Sequence, residues 1–98
     1  MADRIRVVIA DDQPLVRSAL RLILEGDPEL TVLGEAADGQ GALDAARRLR
    51  PDIILLDLHM PGRDGMWASE RISELAPDSL LKVSFHRISD SVIVLIYF

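Results

Sequence analysis

The sequence predicts an α/β fold, a doubly wound parallel sheet with helices on both faces. Three observations carry this. Short apolar runs rich in β-branched residues end abruptly in acids, as at Ile5-Arg6-Val7-Val8-Ile9-Ala10 before Asp11-Asp12 and at Ile53-Ile54-Leu55-Leu56 before Asp57. Between the runs, apolar residues recur at helical spacing. Gly and Pro residues punctuate the boundaries, and strand and helix alternate three times, which implies parallel strands joined by right-handed crossovers.

Ile5–Ala10 is the first strand. Pro14 suits the first turn of the following helix, where its missing N–H is no loss. Leu15, Val16, Ala19, Leu20, Leu22 and Ile23 recur at helical spacing until Gly26, Asp27 and Pro28 stop the pattern. Leu30–Ala36 reads as a shorter strand with some alternation, which suits a sheet edge. A second helix begins near Asp38, with Ala42, Leu43, Ala46 and Leu49 on one face, and Pro51 ends it. Arg47, Arg48 and Arg50 fall near its carboxyl end, where cations favour the helix dipole. Ile53–Leu56 has the continuous apolar character of a strand covered on both faces. Met66 to Leu75 forms a third helix, with Met66, Ala68, Ile72 and Leu75 as its expected buried face.

The character changes after Asp78. Residues 79–98 hold both Phe and the only Tyr, yet no Ala, Gly, Pro or Glu. Ser79–Phe85 and, more clearly, Val92–Phe98 read as strands, with a loop over His86–Ser91 between them. The expected organisation is therefore a core over residues 1–78, followed by an atypical, β-rich tail over 79–98 that supplies a strand in the place of a fourth parallel one.

Composition limits the function classes. With 98 residues there is room for one small domain. A net charge of −5 argues against nucleic acid as a direct partner, since phosphate binding needs clustered Lys and Arg. No Cys is present, which excludes disulfides, thiolate metal sites and a Cys nucleophile. The charged N-terminus lacks the apolar core of a signal peptide, and no apolar run approaches the roughly 18–20 residues of a membrane span. The cytoplasm is the expected compartment.

The acids at the strand ends carry the chemistry. When the strand order of a doubly wound sheet is 2-1-3-4-5, the first and third strands are neighbours, and Asp11, Asp12 and Asp57 are then expected side by side at the carboxyl edge, where ligands bind. Taken alone, Asp57 reads equally well as a cap for the following Pro-Gly turn. Three crowded carboxylates repel one another and raise each other's pKa values. A hard divalent cation with oxygen ligands offsets that repulsion, and Mg²⁺ is the natural candidate because it accepts a few carboxylates while keeping several waters. The pairing of a metal with a free carboxylate oxygen suits phosphoryl transfer onto Asp57.

Two segments, Val7–Arg17 and Pro51–Gly65, resemble the receiver domains of two-component response regulators, and most of all the NarL/FixJ-type subgroup that precedes a LuxR-type DNA-binding domain. The resemblance covers residues 4 to about 78 and implies a flavodoxin-like fold, here as β1α1β2α2β3α3 plus the tail. It implies that Asp57 is the phosphoacceptor, that Asp12 ligates Mg²⁺ directly and Asp11 through water, and that the His59 backbone carbonyl is a further ligand. The His59 side chain is expected to face solvent. Met60, Pro61 and Gly65 would shape the loop beneath the phosphate. A sensor histidine kinase is the implied donor, and self-phosphorylation and dephosphorylation are the only catalysis implied.

The tail departs from the family's pattern, as a truncation or a shifted reading frame would leave it. The family's hydroxyl position on the fourth strand falls at Ile96, and the single Lys, Lys82, precedes that strand. The alternative function is thus a switch-defective interaction domain. A haloacid-dehalogenase-type phosphatase is disfavoured because His59 stands where its second Asp belongs. With too few helices to cover both sheet faces, the chain is expected to form a homodimer, with exchange or pairing of the Val92–Phe98 strand as one route.

Overall fold

The computed structural model describes residues 4–60, 62, 64–74, 83–87 and 92–97, the last two segments as backbone. The elements run β1 (Ile5–Ala10), α1 (Pro14–Glu25), β2 (Leu30–Ala36), α2 (Gly39–Leu49), β3 (Ile53–Asp57), α3 (Gly65–Ser73), β4 (Val83–Arg87) and β5 (Val92–Tyr97). The strands form one sheet in the order β2-β1-β3-β5-β4. β1 pairs in parallel with β2 on one side and β3 on the other, the 2-1-3 core of a flavodoxin-like fold. β2 lies at the sheet edge as expected, but with seven residues it is not the shorter strand.

Local chemistry sets the element ends. Pro14 opens α1 without a side-chain cap. Asp38 caps α2 by accepting from the Gly41 backbone N–H at 2.7 Å, and Asp64 caps α3 by accepting from that of Trp67 at 3.0 Å. α2 stops at Arg50, which takes a left-handed conformation (φ 47°) before Pro51.

The main core lies on one face of the sheet. Val8, Ala10, Ile54 and Leu56 from the strands meet Ala42, Leu43, Ala45 and Ala46 of α2 and Ala68 and Ile72 of α3. Leu49 packs against this cluster from a half-buried position. The opposite face carries α1, and coverage there is thinner. β1 is buried from Val7 through Ala10, while β3 alternates, with Ile54 and Leu56 buried and Ile53 and Leu55 half-buried. The uniform burial expected of β3 is therefore realised on one face only, because α1 lies against β1 and β2 and makes no comparable contact with β3.

The apolar residues of α1 are only partly used, and one residue of the buried face expected for α3 needs correction. No residue of α1 is fully buried, and Leu15, Leu22 and Ile23 are 82%, 77% and 71% exposed. Its apolar arc is wider than the surface it meets, so Val16, Leu20 and Leu24 take the half-buried positions. On α3, Met66 is 51% exposed, while Ser69 joins Ala68 and Ile72 in the interior. Ser69 is accommodated because its hydroxyl donates to the Met66 carbonyl within the helix. Pro61, Leu75, Ser79, Lys82 and Phe98 lie outside the described residues.

The tail strands run against the core. β5 pairs antiparallel with β3, Asp57 opposite Val92 and Ile53 opposite Ile96, and β4 pairs antiparallel with β5 along its outer side. β4 extends to Arg87, two residues into the segment expected to be a loop. Because β5 is antiparallel, Ile96 stands at the amino end of β3. The expectation that Ile96 marks a hydroxyl position beside the acids assumed a parallel strand and fails on this register.

Candidate functional site

Asp11 and Asp12 follow the last residue of β1, and Asp57 closes β3. The neighbouring register of these strands, Ala10 opposite Leu56, brings the three acids to one end of the sheet. Their carboxylate oxygens include one from each residue lying within 4.8 Å of the others. The sequence expectation that these three acids meet is thereby realised. Asp11 is buried at 7% exposure, whereas Asp12 and Asp57 are half-buried.

Asp11 is held at three atoms. Its backbone N–H donates to the Ala36 carbonyl of β2 at 3.0 Å, its Oδ1 accepts from the Gln13 backbone N–H at 2.9 Å, and its carbonyl accepts from Arg17 Nη1 at 2.7 Å. Burial, foremost, pushes the Asp11 carboxyl above its ordinary value, and the Asp57 and Asp12 charges push the same way. The Gln13 N–H and the Arg17 charge oppose the shift without cancelling it.

Asp57 Oδ1 accepts from the backbone N–H of His59 at 2.9 Å, and the His59 side chain is exposed, as expected. Beyond it Met60 is buried and Gly62 makes a left-handed turn at φ 69°. Gly65, the first residue of α3, lies directly against the Asp57–Leu58 backbone. A Cβ there would stand 2.7 Å from Leu58 Cα and collide with the Asp57 carbonyl oxygen. Only glycine lets α3 start this close to the strand end, so Gly65 sets the loop that carries Asp57.

The donor set is all oxygen, clustered and partly desolvated, and no soft or nitrogen ligand joins it among the described residues. Such a set fits a hard divalent cation that retains several waters, as Mg²⁺ does. A cation there would offset the burial of the Asp11 charge and its repulsion by Asp57 and Asp12.

Two residues the sequence reading passed over support this edge. Arg17 bridges the Asp11 carbonyl and Glu35 of β2, its Nε lying 3.1 Å from Glu35 Oε1. Arg21 contacts the other Glu35 oxygen at 2.6 Å and Glu25 at 2.8 Å. The available signal was spacing: Arg17 and Arg21 lie one helical turn apart on α1, directly after the acids.

The family model described as the response regulator receiver domain matches residues 7–92. A protein-glutamate methylesterase/protein-glutamine glutaminase of Nitrosospira multiformis is 44% identical over 80 residues, covering 82% of this chain and 22% of that protein. The uncharacterized transcriptional regulatory protein YxjL of Bacillus subtilis is 40% identical over 81 residues, covering 83% of this chain and 37% of that protein. Among solved structures, the response regulator domain of Thermotoga maritima CheB matches with a TM-score of 0.73 at 38% identity, over 76% of this chain and 55% of that one. The signal receiver domain of the response regulator NarL from Mycobacterium tuberculosis matches with a TM-score of 0.72 at 36% identity, over 76% and 60%. The chain thus spans well under half the length of these two curated relatives, and the likeness extends to receivers from proteins of different kinds. With the family model covering most of its length and its acids gathered at the ends of β1 and β3, the chain belongs to the response regulator receiver domain family.

Proposed function

We propose that this receiver domain accepts a phosphoryl group on Asp57 from the phosphohistidine of a sensor histidine kinase. The observation that carries the reading is the meeting of Asp11, Asp12 and Asp57 within 4.8 Å at the ends of two adjacent strands. An Asp57 carboxylate oxygen attacks phosphorus, and the new O–P bond forms as the P–N bond breaks. The electron pair of that bond goes to the departing imidazole. The His59 N–H bonded to Asp57 Oδ1 fixes the carboxylate's orientation, which leaves Oδ2 as the attacking atom.

Asp12 and Asp57 would hold Mg²⁺ with the His59 carbonyl, and Asp11 would hold it through water. When bound, the ion neutralises charge on the phosphoryl oxygens. The output is transcriptional control through a DNA-binding domain outside these residues, and the chain works in the cytoplasm. Among the described residues no helix is long and apolar enough to cross a membrane.

A second reading has its own support. The antiparallel course of β5 sets Val92 opposite Asp57, where a receiver of the usual pattern brings a hydroxyl-ended parallel strand. On that reading the chain is an interaction domain that has kept the acceptor and lost the response. Both readings include a homodimer. Because β5 is paired on both sides, exchange would move the β4–β5 hairpin as one unit. The exposed Leu15, Leu22 and Ile23 offer a second contact surface.

Incubation with acetyl phosphate and Mg²⁺, followed by intact mass, separates the readings. Gain of one phosphoryl mass that is lost in Asp57→Ala is the expected result. No gain in the unaltered chain would leave the interaction-domain reading standing.

A further inference from the structure

Receiver chemistry at this edge depends on where Asp11 and Asp12 stand, and both sit in a short connection between β1 and α1. Such a connection is held in place by whatever bonds its backbone. Two of the three bonds on Asp11 come from backbone N–H groups, its own to Ala36 and that of Gln13 to its Oδ1. The third, from Arg17 Nη1 to the Asp11 carbonyl, is the one of these three that another residue's side chain donates. Arg17 is itself fixed from the other side. Its side chain is 18% exposed, and its Nε contacts Glu35 Oε1 across the α1–β2 boundary.

Charge is arranged to match. Glu25, Arg21, Glu35 and Arg17 alternate in sign along one connected network, two acids against two bases. A lone guanidinium beside a cation site would repel the cation. Here Glu35 neutralises it, so the bracing costs the site little electrostatically. The Glu35 carboxyl is held below its ordinary value, first by its bond to Arg21, and so stays ionised at neutral pH.

We propose that Arg17, locked by Glu35, is a positioning residue that braces the Asp11 carbonyl and thereby sets the affinity of the acid cluster for Mg²⁺. The proposal rests on the Mg²⁺-binding part of the function proposed above. The guanidinium suits the task because two donors of one planar fork serve two acceptors at once. A lysine ammonium keeps the charge but lacks that fixed geometry.

The test is a Mg²⁺ titration of the 98-residue chain, followed through the backbone amide shifts of Asp11, Asp12 and Asp57, with thermal melting recorded on the same samples. In Arg17→Lys the dissociation constant is expected to rise about tenfold, the scale seen when a group supporting a metal ligand is removed, with melting little changed. Glu35→Gln keeps the shape but leaves Arg17 uncompensated, and is expected to weaken binding several-fold. An unchanged Mg²⁺ affinity in Arg17→Lys, with lowered melting, would mean that Arg17 serves the fold alone and would overturn the proposal. If Arg17→Lys does not fold, Glu35→Gln decides, and unchanged affinity there overturns it. Absence of any Mg²⁺ response in the unaltered chain defeats the metal-binding reading itself, and this proposal with it.

Discussion

Asp11 shows how a residue of the acid cluster works against its own fold. Its carboxyl is pushed up chiefly by burial and next by Asp57 and Asp12. An acid whose folded pKa lies above its unfolded value holds its proton more tightly when folded, so the ionised form costs stability. That cost is complete above the raised pKa and is relieved as pH falls toward 3.8, the ordinary value. Without divalent cation, Asp11→Asn should therefore melt above the unaltered chain at neutral pH. The difference should shrink as the pH approaches 4. Paired melting curves across that range check the sign, and an Asn variant that melts lower at neutral pH would contradict it. Glu35 acts in the opposite sense. Its lowered pKa contributes stability above 4.5, its ordinary value, which is lost as pH falls through the folded value. Its pairs with Arg21 and Arg17 are partly exposed, so this contribution is small.

At the scale of elements, the two sheet faces differ in how much their helices bury. β3 and α1 illustrate the contrast. Ile54 is fully buried between the sheet and the α2–α3 layer, whereas Leu22 on α1 is 77% exposed. Truncating Ile54→Ala is expected to cost about 2–5 kcal/mol, from lost transfer free energy and the cavity left behind. Leu22→Glu, measured at low protein concentration, should stay within about 0.5 kcal/mol of the unaltered chain, because it removes little buried surface. Urea denaturation of both variants checks the pair. A large loss in Leu22→Glu would show that α1 is covered in solution. Helical periodicity in the sequence correctly marked α1 as amphipathic, but periodicity counts apolar positions and not the surface available to meet them. Leu15, Leu22 and Ile23 belong to an arc wider than the sheet face beneath it, and no pattern within α1 could separate them from Leu20. Met66 fails in the same way, because the start of α3 is fixed by the contact of Gly65 with β3.

Across the whole molecule, the acid cluster lies at the carboxyl end of the sheet and exposed apolar surface at α1. The sheet has β2 and β4 as its edges, and the α1 side carries the large exposed hydrophobics Leu15, Leu22 and Ile23. Soluble monomers seldom leave contiguous apolar patches beyond a few hundred Å². Size-exclusion chromatography with light scattering at micromolar concentration should show a dimer. Leu22→Glu should shift the population toward monomer if α1 forms the contact, and should leave it unchanged if the β4–β5 hairpin does. A stable monomer in the unaltered chain would remove self-association from the functional reading.

The sequence by itself determined the alternating parallel β/α core with acids at two strand ends, and its resemblance to receiver domains implied the 2-1-3 order that brings Asp11, Asp12 and Asp57 together. The core follows from local patterns: apolar runs that end in acids, helical periodicity between them, and the handedness of parallel crossovers. Tertiary structure alone decided the antiparallel course of β5, the thin coverage by α1, the contact of Gly65 with the Asp57 backbone and the bracing of Asp11 by Arg17 and Glu35. These depend on which surfaces meet across large separations in the chain. A strand's residues do not state its direction, and an arginine's position on a helix does not name the carbonyl it will reach.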